Sequence, residues 1–155
     1  MTFHDLKNAA VRFTVPGKPV GKGRPRAAKR GKSIVLYTPE TTVKYESTVA
    51  LAASQAMAGR PLITGPAEVL MTMVLPVPVS WSKRKQADAL AGQLMPTGRP
   101  DADNVIKAIF DAINKIVWTD DAQVVGLRLR KVYGATPCVQ VTVSPYVPQI
   151  LGGSL

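Results

Sequence analysis

The sequence predicts a mixed α+β fold in one domain, because strand-like and helix-like segments alternate along a chain of modest length. The chain has 155 residues, of which 46% are hydrophobic, and this is enough apolar surface for one core. We expect a single domain over residues 1–155. It should contain a mixed sheet of four to five strands, two to three packed helices and a C-terminal β-hairpin.

Alternating and 3.6-residue patterns place the elements in order. Strands are predicted at 11–15, 34–37, 67–75, 123–133 and 138–144, and helices at 38–57, 80–91 and 104–115. The short connection 134–137 predicts that the last two strands pair as an antiparallel hairpin. Glycine and proline between 16 and 33 predict a mobile basic loop, and 146–155 is expected to be a loose tail.

The helix predicted at 104–115 has the clearest amphipathic pattern. Its apolar positions follow a helical spacing on one face: Ile106, Phe110, Ile113 and Val117. Its polar positions gather on the opposite face: Asn104, Lys107, Asp111 and Asn114. The polar face is therefore available for chemistry.

Charge indicates a polyanionic partner. Twenty Lys and Arg against ten Asp and Glu give a formal charge of +10, which favours nucleic acid.

The strongest apolar stretch, 67–79, is interrupted by prolines and is too short to span a membrane. The N-terminus lacks the pattern of a secretion signal, so we expect a cytoplasmic protein. His4 is the one histidine and Cys138 the one cysteine, which excludes Cys/His catalysis and zinc sites.

Acidic residues are concentrated in one region. Half of the ten acids fall within 21 residues: Asp101, Asp103, Asp111, Asp120 and Asp121. Grouped carboxylates repel one another unless a cation compensates, and oxygen ligands of this kind suit Mg²⁺ or Mn²⁺. If Asp101 and Asp103 are extended, their side chains point the same way. Carboxylate-bound Mg²⁺ can activate water for phosphodiester hydrolysis without a histidine.

Each aspartate also has a purely structural interpretation. Asp103 can cap a helix, and Asp120 or Asp121 can shape a turn. Lys107 can reach a metal-held phosphate, or form an ordinary i, i+4 pair with Asp111. For one residue alone the structural interpretation is favoured, whereas the whole set favours catalysis. The residues alone do not decide between Asp120 and Asp121.

Basic side chains elsewhere are candidates for phosphate contacts. In the late strand, Arg128 and Arg130 alternate with leucines and give one basic face. Such charges can also be ordinary solvated surface. The full set of predicted DNA-binding residues is Lys18, Lys22, Arg24, Arg26, Lys29, Arg30, Arg99, Arg128 and Arg130.

The run PDADNVIKAIFDAI followed by WTDDAQVV resembles the signature of the RusA crossover junction endodeoxyribonucleases. The likeness covers about residues 99–131, and VPGKPVGKGRPR near the N-terminus resembles the phage-associated branch. It implies Mg²⁺-dependent cleavage of four-way junctions by a homodimer, in recombination and repair. Asp101, Asp103 and Asp121 match the metal-binding aspartates, and Lys107 matches the essential lysine.

Two other functions remain compatible with the residues. One is a Mg²⁺ nuclease that cuts flaps or forks, which the sequence does not distinguish from a junction resolvase. The other is a non-catalytic basic DNA-binding module, in which the aspartates only cap helices and shape turns.

Overall fold

A computed structural model describes residues 9–148. In chain order, the elements are β1 (Val11–Pro16), β2 (Arg26–Arg30), β3 (Ser33–Tyr37), α1 (Glu40–Met57), β4 (Ala67–Pro76), α2 (Lys83–Leu90), α3 (Ala102–Ile113), β5 (Val124–Gly134) and β6 (Cys138–Pro145). A short 3-10 turn, Asp121–Gln123, precedes β5. The predicted mixed α+β class is confirmed, and every predicted strand and helix overlaps an observed element. Most of the predicted tail 146–155 lies outside the described residues.

The main sheet has the strand order β1-β6-β4-β5. Strand β6 runs antiparallel to both β1 and β4, whereas β4 and β5 are parallel. The predicted C-terminal hairpin is therefore wrong, because β4 lies between β5 and β6. Neighbouring strands are about 4.8 Å apart, and each extended residue advances the chain by about 3.3 Å. A short connection can therefore cross a strand as well as form a hairpin.

The core lies between one face of this sheet and the helices α1 and α3. Alternate residues of β1, β4 and β6 are buried, as the two-residue period requires. Phe110, Ile113 and Val117 are buried as the helical pattern predicts, and Ile106 is partly covered. Arg12 points to the opposite, exposed sheet face. Within the described residues, no helix has both the length and the hydropathy needed to cross a membrane.

The segment predicted as a mobile basic loop, 16–33, is partly a strand. Residues 26–30 form β2, which pairs antiparallel with β3. The strands are joined by a two-residue turn at Gly31, whose φ of 62° suits glycine. The sequence-based prediction missed β2 because RAAKR has no apolar alternation. Within 16–33, only 17–25 and the turn at 31–32 lack a helix or strand.

Candidate active site

The polar side of α3 faces the turn that carries Asp120 and Asp121. Asp121 is half-buried, and both Asp111 and Lys107 act electrostatically on its carboxyl group. The pKa of Asp121 is raised, first by its hydrogen bond to Asp120, then by burial and by the negative charges of Asp120 and Asp111. Lys107 opposes this rise. The fold therefore brings Lys107, Asp111 and Asp121 into one electrostatic group.

Asp120 shapes the turn. Its carboxylate accepts a hydrogen bond from the Ala122 N–H at 3.1 Å, and the Gln123 side chain accepts from the Asp120 N–H. The pKa of Asp120 is lowered, first by the Ala122 N–H and then by the hydrogen bond from Asp121. Gln123 also donates to the Ile63 and Gly65 carbonyls at 2.9 Å. The turn is thus fixed to the rest of the fold, and the structural interpretation of Asp120 agrees with this geometry.

Trp118 anchors the connection from α3 to this turn. Its indole is fully buried and meets Phe110 edge to face, with ring centroids 5.1 Å apart. The indole N–H donates to Asn114 Oδ1 at 2.6 Å. The polar group of this large side chain therefore has a partner at the C-cap of α3, and the tryptophan packs the end of α3 against the chain that follows.

Asp101 and Asp103 lie at the start of α3. Asp101 occupies the N-cap with an extended backbone but makes no capping hydrogen bond through its side chain. Asp103 is already inside the first helical turn and is exposed. Because only Asp101 is extended, the condition under which both side chains would point the same way is not met, and the alternative that Asp103 is the cap is wrong. Helix α3 begins two residues earlier than predicted, because Asp101 rather than Asp103 ends the extended segment.

The predicted metal ligands are at both ends of α3. A twelve-residue helix is about 18 Å long, with Asp101 before it and Asp121 after it. Among residues 9–148, no three Asp, Glu, His or Cys side chains are close enough together to hold a metal ion. The carboxylates have the hard oxygens that Mg²⁺ prefers, but this chain as it stands does not gather Asp101, Asp103 and Asp121 into one complete ligand set.

A cavity of about 510 Å³ lies between the segment that precedes β2 and the start of α3. Three of the predicted DNA-binding cations, Lys18, Lys22 and Arg99, share its wall with Asp101. Its lining also includes Val20, Thr41, Pro100 and Asn104. Positive charge is thus concentrated beside one of the candidate catalytic carboxylates.

Lys22 is buried more deeply than the neighbouring cations. Its ammonium group lies 2.5 Å from Glu46 Oε1 and 2.9 Å from Asp111 Oδ2. Burial alone would lower the pKa of Lys22, but hydrogen bonds and attraction from both carboxylates raise it. The sequence grouped Lys22 with the phosphate contacts, whereas in the fold its charge is engaged by two acids. It links the basic segment to α1 and α3.

The backbone around Lys22 is also fixed. The Lys22 N–H donates to the Asn104 carbonyl at 2.8 Å, and the Gly23 N–H donates to Thr42 Oγ1 at 3.0 Å. A Cβ at Gly23 would lie 2.9 Å from a Pro39 side-chain carbon. Glycine is therefore required where this segment passes the start of α1. The basic segment is held against the same helix that carries Lys107.

Lys131 holds the chain that leads into Asp101. Its ammonium group donates to the Gly98 carbonyl at 2.6 Å and to the Pro100 carbonyl at 3.0 Å. These carbonyls flank Arg99, so one side chain from β5 fixes the segment before α3. Sequence reasoning missed both Lys131 and Glu46, because their partners are distant in the chain and no local pattern indicates them.

The remaining predicted DNA-binding cations are exposed. Arg24 precedes the hairpin, and Arg128 and Arg130 lie on β5, which forms an edge of the sheet. Arg26, Lys29 and Arg30 lie on β2. Apart from Lys22, the predicted cations are thus accessible to a partner.

Comparison with known proteins gives the class of this chain: the family model for the endodeoxyribonuclease RusA matches residues 16–144. The chain therefore belongs to the RusA family of endodeoxyribonucleases, as the resemblance of its motifs indicates. A relative from Bacillus subtilis (strain 168), "Uncharacterized protein YqaN", is 40% identical over 137 residues, which cover 86% of this chain and 94% of the relative. The family match includes the cavity, α3 and the turn at Asp121.

Proposed function

We propose that this chain is a Mg²⁺-dependent endonuclease that resolves four-way DNA junctions by paired phosphodiester cuts in recombination and repair. The observation that carries this proposal is that Lys107 and Asp111, one turn apart on α3, both act on Asp121 in the turn that follows the helix. This grouping occurs in a chain of net charge +10 that belongs to an endodeoxyribonuclease family. A binding module that needed only cations would have no use for acids facing its DNA.

Asp101, Asp103 and Asp121 are the proposed metal ligands, with Mn²⁺ as a substitute for Mg²⁺. Because the chain alone does not gather the three carboxylates, we propose that the ligand set is completed only when metal and DNA bind. An ion held there would supply an activated water and spread the charge that develops on the phosphate. Lys107 is exposed on α3, and its positive charge acts on Asp121. We assign it to the phosphate oxygens, where a fixed cation stabilises the transition state.

We also propose a cytoplasmic homodimer. A four-way junction has approximate twofold symmetry, and resolving it needs two symmetry-related cuts, which a twofold dimer provides. A phage origin of this chain stays a prediction from the VPGKPVGKGRPR segment.

Cutting of a synthetic four-way junction tests the proposal. We expect the wild type to make paired nicks with Mg²⁺ and none in excess EDTA, and Asp103→Asn to bind the junction without cutting it. Asp103 is exposed in the first turn of α3 and is not the N-cap residue, so loss of its charge should cost no more than about 1 kcal/mol of stability at the helix N-terminus. Binding without metal-dependent nicking by the wild type would favour a non-catalytic module, and faster cutting of flaps or forks would favour that nuclease class.

A second prediction concerns the exposed cations ahead of the hairpin. We expect Arg24→Ala with Arg26→Ala to weaken junction binding and to reduce the slope of log K against log salt by about 2, because two phosphate contacts are lost. Fluorescence anisotropy at several salt concentrations measures this slope. Lys83→Ala with Arg84→Ala is the matched control, since both cations are exposed on α2 and lie outside the predicted DNA contacts. An unchanged slope in the double variant would remove these arginines from the interface.

A third prediction concerns Lys131. We expect Lys131→Met to slow single-turnover cutting about tenfold, because the segment carrying Asp101 loses its support and even small displacements of catalytic groups are costly. The free energy of unfolding, measured in urea, should change by about 1 kcal/mol or less, since water can replace the Lys131 ammonium group at these carbonyls. Lys44→Met is the control for loss of an exposed lysine. Equal cutting by both variants would show that Lys131 does not position the site.

A further inference from the structure

The hairpin of β2 and β3 is separate from the main sheet. Its two strands pair only with each other among the described strands, and all ten of their residues are exposed. A two-stranded hairpin alone is marginally stable in water. Strand β3 nevertheless carries a run of four large apolar side chains, from Ile34 to Tyr37, and all four are exposed to solvent. Exposed apolar surface of this kind marks a binding surface.

The pairing register shows what each face of the hairpin presents. Ile34 lies opposite Lys29, and Leu36 lies opposite Ala27, so these four side chains share one face. Ile34 and Leu36 are 73% and 70% exposed. The other face combines Arg26, Ala28 and Arg30 with Val35 and Tyr37. Both faces thus carry apolar side chains beside cations.

The positive charge of the hairpin indicates which kind of partner its apolar surface binds. Residues 18–37 contain seven Lys and Arg and no Asp or Glu. Two copies of the hairpin packed together would bring like charges into contact, which is unfavourable. Nucleic acid offers both phosphates for the cations and flat base surfaces for the apolar groups, and proteins that bend DNA insert leucine or isoleucine between base steps.

The chain segment that leads into the hairpin is attached to the helices of the candidate active site. Lys22 and Gly23, shortly before β2, are bonded to Asn104 of α3 and Thr42 of α1. Five-residue strands extend about 16 Å from that anchor. DNA lying along the polar side of α3 would therefore be within reach of the hairpin.

We propose that this hairpin is a branch-point wedge, in which Ile34 and Leu36 pack against base pairs exposed where the arms of branched DNA meet. The inference rests on the proposed function and identifies how its substrate is recognised. Arg26, Lys29 and Arg30 bind the flanking phosphates. Separating bases costs least where they are already unstacked, so the wedge favours a branch over continuous duplex.

The test replaces the two apolar side chains by Ile34→Ser with Leu36→Ser. A four-way junction with 2-aminopurine at the branch reports unstacking by its fluorescence, and EDTA prevents cutting. We expect the wild type to raise the fluorescence and the variant not to. The variant should bind the junction about tenfold more weakly but bind linear duplex with affinity changed by about twofold or less, because phosphate contacts remain. Val43→Ser with Leu51→Ser, on the exposed side of α1, is the matched control.

Several outcomes would overturn the wedge. One is a variant that binds and unstacks the junction as the wild type does. Another is a variant whose oligomeric state by light scattering falls while its affinities for junction and duplex drop equally, which would assign the apolar face to a second copy of the chain. In both cases the wild type still prefers and cuts junctions, so the proposed function stands. A wild type with no preference for branched DNA would overturn the proposed function, and the wedge with it.

Discussion

Replacing Lys107 by alanine is expected to reduce DNA cutting by about 100-fold or more, since removing a single preorganised charge-stabilising group typically costs 100- to 1,000-fold in rate. Junction affinity should change by about threefold or less, because many other phosphate contacts remain. Lys107 is exposed on α3 and acts on Asp121. The Lys107 ammonium group would therefore lie next to a phosphate held beside Asp121, on which negative charge develops during cutting. Single-turnover cutting and anisotropy measure the two effects separately.

Lys44→Ala is the matched control for this substitution. Lys44 is an exposed helical lysine that pairs with Glu40 at i−4. Among the described residues Asp111 pairs with Lys22 and not with Lys107, so Lys44 represents the ordinary surface role that Lys107 has if it takes no part in cutting. If Lys107→Ala cuts as fast as Lys44→Ala, the lysine has only that surface role. A parallel loss of binding and cutting would instead make Lys107 a DNA contact.

Local patterns were sufficient to predict every helix and strand of this fold except β2. Helix α3 was predictable because its apolar positions repeat every three to four residues and face the core. The order of strands was not, because a short connection is compatible both with a hairpin and with a step across β4. Strand β2 lacks any burial pattern, since both of its faces are exposed, so the sequence carried no alternation from which to predict it.

The candidate site, like the fold, was predictable from the sequence only where its residues are close together in the chain. The aspartates and Lys107 were recognisable because they are grouped in sequence, and the fold brings Asp111 and Asp121 to Lys107. The engagement of Lys22 by Glu46 was not recognisable, since the two residues are 24 positions apart and belong to a loop and a helix. Lys131 reaches carbonyls 31 and 33 residues away. Contacts of this kind depend on packing and have no local signature.

Trp118→Ala is expected to cause the largest loss of stability. Deleting a fully buried tryptophan typically costs about 3–5 kcal/mol, and whole domains are stable by only about 5–15 kcal/mol. The change removes the edge-to-face contact with Phe110 and leaves Asn114 Oδ1 without its donor. Thermal and urea unfolding measure the loss. Trp81→Ala is the matched control, because Trp81 is only partly buried against Tyr133 and should cost about 1–2 kcal/mol.

Trp118→Phe separates stability from positioning. Phenylalanine retains most of the buried volume but cannot donate to Asn114, so we expect a loss of about 1–3 kcal/mol, the usual cost of an unsatisfied polar group. Because Trp118 fixes the turn that follows it, cutting should fall about tenfold at a temperature where the variant is fully folded. Normal cutting by a folded Trp118→Phe chain would show that the indole hydrogen bond stabilises α3 without positioning Asp121.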